Sequence, residues 1–275
     1  MSSANPTLAL LAGGGKLPGV LALAAANRGW GVHAVTFAGQ PQPADLATLT
    51  HKEFPMGQIG HILAHLKATK TTHVAMAGNL SKPGILSLKP DAMGLKLLAR
   101  AVIKHDDALL RVVTSFLEEQ GFTLVSVQDL VPDLLAPAGL LTKNKPSAED
   151  IEDIALARSV LSVVGDLDIG QAVVVHNGAI LGVEAAEGTD ALITRCAELR
   201  GDLEKGTRGG LLVKRAKPTQ TDVADLPFVG PTTLQLLSQH HYRGLAVQAG
   251  KTLLLNRPEL IAIANTHSLF IQSDA

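Results

Sequence analysis

Residues 8–18 read Leu-Ala-Leu-Leu-Ala-Gly-Gly-Gly-Lys-Leu-Pro, and the fold turns on how this stretch is read. Its first five residues are apolar, which predicts a short buried strand. Three glycines stop that run. Residues 17–27, rich in Ala and Leu with Pro18 in the first turn, predict a helix. Strand, glycine turn and helix bring backbone N–H groups and a helix N-terminus to one point, an arrangement that suits a phosphate. Gly13, Gly14 and Gly15 matter to that reading because a Cβ would block close approach. The spacing is neither Gly-x-Gly-x-x-Gly nor a P-loop, so a tight turn with no ligand stays open beside it.

The alternation continues outward. Residues 32–37 predict a second strand and 58–68 a helix, on which His61 and His65 lie at i, i+4. With no third ligand near in sequence, these read as surface histidines ahead of a zinc pair. Strand 73–77 runs into Gly78-Asn79-Leu80-Ser81-Lys82-Pro83, a polar loop at the carboxyl end of a strand, where open α/β sheets bind ligands. Gly78, Asn79, Ser81 and Lys82 are therefore candidates, Asn79 for a base or ribose edge and Lys82 for a phosphate. Helices at 90–104 and 108–120 flank His105-Asp106-Asp107, and 122–127 predicts another strand. This order indicates a parallel, doubly wound sheet. Pro132, Pro137, Gly139 and Pro146 then mark a boundary: a first domain at 1–135, a linker at 136–146 and a second domain at 147–275.

In the second half, Ser147 is placed to cap a helix at 148–164. Asn177-Gly178 between apolar runs at 171–175 and 179–183 is a hairpin signal. Glu184, Glu187 and Asp190 follow at a spacing of three. They read either as solvated glutamates beside an N-cap at Thr189 or Asp190, or as an acidic cluster for Mg²⁺. In the second case Gly188 and Thr189 would offer donors to an anion. The segment 211–230 opens as an apolar strand and then carries Lys214, Arg215 and Lys217, Pro218, and the carboxylates Asp222 and Asp225. Cations there can hold an anion, and carboxylates can hold a metal ion or aim a water; a solvated polar turn is the plainer alternative. A helix at 232–239, strands at 245–248 and 252–255, a helix at 258–265 and a strand at 269–271 complete the chain. The expected class is α/β, an N-terminal Rossmann-like parallel-sheet domain plus a C-terminal mixed α/β domain.

Composition narrows the function. Of 275 residues, Lys plus Arg number 24 and Asp plus Glu 25, so the chain lacks the basic excess of a nucleic-acid protein. Aromatic residues are 3%, too few for base-stacking platforms. Cys196 is the single cysteine, which excludes an intramolecular disulfide and suggests a small buried side chain. The apolar run 8–12 stops at Gly13, far short of a membrane segment, and a cytoplasmic location is expected.

Six segments in order resemble one family, the UDP-2,3-diacylglucosamine pyrophosphatases of the LpxI type. They are Leu-Ala-Gly-Gly-Gly-Lys-Leu-Pro at 11–18, Ala-Gly-Asn-Leu-Ser-Lys-Pro at 77–83, Asp-Asp-Ala-Leu-Leu-Arg at 106–111, Asp-Ile-Gly-Gln at 168–171, Val-Glu-Ala-Ala-Glu-Gly-Thr-Asp at 183–190, and Lys-x-x-Lys-Pro followed by Asp-Leu-Pro-x-x-Gly at 214–230. The resemblance implies hydrolysis of the diphosphate of UDP-2,3-diacylglucosamine to UMP and 2,3-diacylglucosamine 1-phosphate (lipid X), a step of lipid A synthesis. It implies a first domain for the UDP part, a second for the diacylated sugar, dependence on Mg²⁺, and an essential aspartate at Asp225. With Asp225, Lys214 and Lys217 would serve catalysis, and Glu187 and Asp190 would join Asp225 at the metal. Lys82 stands where the family pattern leads one to expect arginine, which keeps the charge without the bidentate fork. Peripheral contact with the inner membrane and a homodimer are compatible with this reading. Its rivals are a nucleotide-sugar sensor without hydrolysis and an NAD(P)-dependent oxidoreductase.

Overall fold

A computed structural model describes residues 5–80, 89–100, 106–201, 207–217 and 226–274, the side chains of 106–110 excepted. The candidates Ser81, Lys82, Asp222 and Asp225 lie outside the described residues. The described residues divide into two compact units, one running up to Pro132 and the other from Asp133 to the end of the chain.

In the first unit β1 (Thr7–Ala12), β2 (Gly31–Phe37), β3 (His51–Phe54), β4 (His73–Ala77) and β5 (Thr123–Leu124) form an all-parallel sheet in the order β3-β2-β1-β4-β5. This is the order of doubly wound nucleotide-binding sheets as far as its fifth strand. Strand β1 has a neighbour on each side, and its Leu8, Ala9 and Leu10 are fully buried, which is why the sequence there is a continuous apolar run. Helices α1 (Leu17–Asn27), α2 (Ile59–Ala68), α3 (Ala92–Arg100) and α4 (Asp106–Glu119) make the connections. Ile62, Leu63 and Leu66 of α2 pack with Ala9, Val35 and Val74 of the sheet and with Phe116 and Leu117 of α4. The strand expected at 122–127 ends early. Ser126 and Asp129 form a reciprocal capping box that starts the short helix α5 (Val127–Leu130).

The second unit holds a mixed sheet of six strands. In chain order these are β6 (Gly139–Leu140), β7 (Ala172–His176), β8 (Ala179–Val183), β9 (Leu211–Lys214), β11 (Gly244–Gln248) and β13 (Phe270–Asp274), in the spatial order β6-β13-β11-β9-β7-β8. The short strands β10 (Phe228–Val229) and β12 (Leu253–Leu254) pair separately. The stretch 136–146, expected as a linker, belongs to this unit, since β6 pairs antiparallel with β13.

Alternation along the strands sends side chains to two cores. Ala172, Val174 and Leu212 face Leu192 and Ile193 of α7 (Thr189–Arg200), Leu234 and Leu237 of α8 (Pro231–Gln239), and Leu260 of α9 (Arg257–Thr266). Val173, Val175, Leu211 and Val213 face Ile154, Ala157 and Leu161 of α6 (Ala148–Asp166). Ser147 caps α6 with a full capping box to Asp150, as its sequence suggests. Asn177 and Gly178 both take positive φ, 48° and 74°, which makes the β7–β8 hairpin a type I′ turn. Asp153 on α6 accepts both N–H groups of that turn, at 3.1 and 2.7 Å. Cys196 is fully buried, and burial raises its thiol pKa.

Candidate functional site

In the first unit the structure brings together the two loops expected to meet a nucleotide. They follow β1 and β4, the adjacent strands at which the chain's winding reverses, and this is the switch point where such sheets take ligands. Gly14 and Asn79 form a backbone bridge. The Gly14 N–H donates to the Asn79 carbonyl at 2.8 Å and the Asn79 N–H returns to Gly14 at 2.9 Å. Gly13 donates to the Ala77 carbonyl at 2.8 Å.

These contacts change the meaning of the glycines. A Cβ on Gly13 would lie 2.4 Å from the Asn79 oxygen, and one on Gly78 would lie 2.6 Å from the carbonyl oxygens of Gly13 and Gly14. One on Gly14 would meet the Pro41 ring at 2.5 Å. Gly13, Gly14 and Gly78 are therefore required by backbone and proline packing, and the N–H groups of Gly13 and Gly14 are committed to the chain's own carbonyls. Gly15 differs: it is exposed, has φ +97°, and no heavy atom beyond its chain neighbours lies within 4 Å of its Cβ position. Asn79, bridged to Gly14 through its backbone, is also exposed.

In the second unit two of the cations of 211–217, Lys214 and Lys217, are each held near a carboxylate. Strand β9 buries all four residues, Lys214 included, which is 6% exposed. A buried lysine requires partners. Lys214 Nζ donates to Thr189 Oγ1 at 2.8 Å, and Thr189 Oγ1 lies 2.6 Å from Glu184 Oε1. A carboxylate accepts and an ammonium donates, so the threonine proton must point at Glu184 and its lone pair at Lys214. Glu184, 7% exposed, also accepts the Gln171 N–H on Oε2 at 3.3 Å. Lys214 Nζ further lies 5.6 Å from the centroid of the Phe228 ring, within cation–π range.

Lys217 pairs with Asp168, and both side chains are largely buried. Asp168 adopts φ +55°, a left-handed conformation that Asp tolerates better than most residues. Two residues on, a Cβ at Gly170 would fall 1.9 Å from the Glu184 carbonyl oxygen. The next residue, Gln171, gives its N–H to Glu184 and its carbonyl to the Arg215 N–H at 3.0 Å. The turn 168–171 thus touches both lysine-bearing arms.

The acidic trio divides. Glu184 is buried, as described. Glu187 accepts from Arg195 Nη2 at 2.9 Å and from the Ala185 N–H at 3.1 Å. Hydrogen bonding from its own N–H, then from Arg195 and Ala185, keeps its carboxyl below the ordinary glutamate range. Asp190 is exposed in the first turn of α7. Among the described residues no three His, Cys, Asp or Glu side chains are grouped to hold a metal ion. The N-cap of α7 is Gly188, at φ +80°, where Thr189 or Asp190 was expected. His61 and His65 also part company: His61 is exposed, 3.6 Å from Asp91, whereas His65 packs edge-on against His33.

The sequence singles out both lysines as candidates but gives Asp168 and Glu184 no role beside them. A lysine closing a buried strand was the available signal, since it demands a carboxylate nearby.

A parallel sheet of nucleotide-binding strand order in one unit and a mixed sheet carrying a buried lysine–carboxylate cluster in the other define a two-unit α/β protein. The chain belongs to the LpxI family: residues 7–134 match the LpxI N-terminal domain and 137–272 the LpxI C-terminal domain. It is 37% identical, over 96% of this chain and 96% of the relative, to the UDP-2,3-diacylglucosamine pyrophosphatase LpxI of Caulobacter vibrioides. CobK precorrin-6A reductase aligns with 98% of this chain and 87% of its own at 13% identity and a TM-score of 0.32, a likeness too slight to bear on fold or function.

Proposed function

We propose that this protein is a UDP-2,3-diacylglucosamine diphosphatase acting in lipid A synthesis, releasing UMP and 2,3-diacylglucosamine 1-phosphate. The observation that carries the reading is the near full-length relationship to a pyrophosphatase of that name. The buried lysine cluster supports it.

The reaction joins a water oxygen to one phosphorus, breaks the bridging P–O bond, and leaves the electron pair on the departing phosphate oxygen. Its barrier falls when charge on the non-bridging oxygens is neutralised and the water is held in line. In this proposal Lys214 and Lys217 supply cationic donors to the diphosphate, and Asp225 orients the water or a metal. Gly188 and Thr189 line the same end of the site. The first unit, Rossmann-like in its strand order, takes the uridine part at the exposed Gly15 and Asn79, with Ser81 and Lys82 next in sequence; Gly13, Gly14 and Gly78 hold the two loops together. The second unit takes the diacylated sugar.

Mg²⁺ enters as a further cation that would neutralise phosphate oxygens when bound. Glu187 does not fit it in the arrangement described, being held by Arg195. Asp225 and Asp190 are the carboxylates carried forward. No helix among the described residues is long and apolar enough to cross a membrane. A cytoplasmic enzyme touching the inner membrane peripherally, as a monomer or homodimer, fits the proposal.

The test is incubation of purified protein with UDP-2,3-diacylglucosamine, with Mg²⁺ or with EDTA, following both products. Metal-dependent release of both is expected, and Asp225→Asn should lose at least ~10²-fold in turnover while still binding substrate. Binding without release by the native chain would leave a nucleotide-sugar sensor instead.

A further inference from the structure

We propose that Asp168 and Glu184 are positioning residues, one for each lysine of the site. Asp168 fixes Lys217 directly, and Glu184 fixes Lys214 through the Thr189 hydroxyl. The inference rests on the reading that these lysines hold the diphosphate.

Holding a lysine side chain in one place costs entropy. A lysine has a flexible four-carbon stem, and its ammonium is a point charge with no intrinsic direction. To act on a transferring phosphoryl group it must be held in place before the reaction begins. The two lysines are held by different means. Lys217 has its own carboxylate in Asp168, with side-chain exposures of 14% and 10%. Lys214 reaches Glu184 through one hydroxyl, by bonds of 2.8 and 2.6 Å. The intervening threonine separates the ammonium from the carboxylate, so Lys214 is oriented without forming a direct ion pair with Glu184.

Both carboxylates are set by one turn. Gly170 lets the backbone press against Glu184, the Gln171 N–H fixes Oε2 of that carboxylate, and Asp168 lies two residues before Gly170. The segment Asp-Ile-Gly-Gln at 168–171 therefore has a physical reason at three of its four positions. Asp168 binds Lys217, Gly170 permits the approach, and Gln171 links Glu184 to the Arg215 backbone.

Two double-mutant cycles on the purified protein test this, reading UMP release from UDP-2,3-diacylglucosamine and the melting temperature of every variant. Lys214→Ala and Thr189→Val should each lower kcat by about 10²-fold, and the pair together should stay within about twofold of Lys214→Ala alone. Thr189→Ser, which restores the hydroxyl, should recover most of the loss. In the second cycle Asp168→Gly removes the carboxylate while accepting the positive φ, and its loss should be absorbed in the same way into that of Lys217→Ala. Asp168→Asn keeps an oxygen acceptor and should lose less than Asp168→Gly.

Losses that multiply in folded variants would overturn the inference alone, because the partners would then act independently. Wild-type turnover in both Lys214→Ala and Lys217→Ala would overturn the reading of the lysines, and the inference with it.

Discussion

Each unit has a glycine-tight junction, and the two junctions spend their close contacts differently. In the first, Gly13, Gly14 and Gly78 let two loops interlock, and the N–H groups of Gly13 and Gly14 are consumed by the chain's own carbonyls. In the second, Gly170 lets a turn reach Glu184, and the gain is side-chain order: one carboxylate placed for Lys217 and another placed through Thr189 for Lys214. The three-glycine run is the louder signal in the sequence, yet most of it is packing. A lone glycine in a short turn governs the charged cluster. What a Cβ would strike, rather than how many glycines are adjacent, separates the two cases.

Gly170→Ala should produce the largest effect, because its Cβ would sit 1.9 Å from a backbone oxygen that cannot swing aside. We expect a loss of about 4 kcal/mol or more, seen as a fall in melting temperature and in UMP release together. Gly13→Ala, at 2.4 Å from the Asn79 oxygen, should cost about 3 kcal/mol, with turnover per folded molecule less affected than in Gly170→Ala. If Gly170→Ala melts like the native chain, the contrast between the junctions fails.

Much of this fold is legible in the sequence. The apolar run and glycine stop gave β1 and α1, Ser147 gave the start of α6, and Asn177-Gly178 gave the hairpin, because each of these depends on neighbours within a few residues. Strand β3 carries His51, Lys52 and Glu53 and reads as polar surface. It is a strand because β2 offers it a parallel edge. The end of β5 was obscured by apolar continuity through Val127, while Ser126 and Asp129 were already turning the chain into a helix. The acidic trio misled for a related reason. Regular spacing suggested one cluster, but Glu184 is held by the Gln171 N–H and by Thr189, behind which lies Lys214, and Glu187 is held by Arg195 on the following helix. Long-range pairing of this kind leaves no local periodicity.

The units also differ in how they bury titratable groups. In the second, Asp153 is satisfied by two N–H groups and Arg243. In the first, His33 is 7% exposed and bonds through Nε2 to Thr71 and Thr69, at 2.9 and 3.2 Å, while its Nδ1 is without a hydrogen-bond partner. Burial, then the nearby His65, lowers its pKa from 6.5 to about 4. Between those values the unfolded chain binds a proton that the folded chain refuses. Stability from this group is thus fully present above pH 6.5 and is lost as pH falls toward 4. The loss should reach about 3 kcal/mol, and His33→Gln should flatten the slope. Trp30, the one tryptophan of the chain, lies in this unit, so its fluorescence during urea unfolding at pH 4 to 7 is the measurement. An unchanged slope in His33→Gln would place the acid lability elsewhere.

The smallest effect is expected at Gly15, and it sharpens the comparison most. An alanine there meets no heavy atom within 4 Å beyond its chain neighbours, but must take φ +97°, so its stability cost should be about 1–2 kcal/mol of backbone strain. That is less than at Gly13. If the exposed end of the run borders the uridine diphosphate, the added methyl crowds the ligand rather than the protein, and UDP affinity by calorimetry should fall further than stability does. Gly13→Ala should show the reverse ranking, a large loss of stability with UDP affinity preserved in the folded fraction. Equal UDP affinity in native chain and Gly15→Ala would make all three glycines structural, and nucleotide recognition would then rest on Asn79 and the loop that follows it.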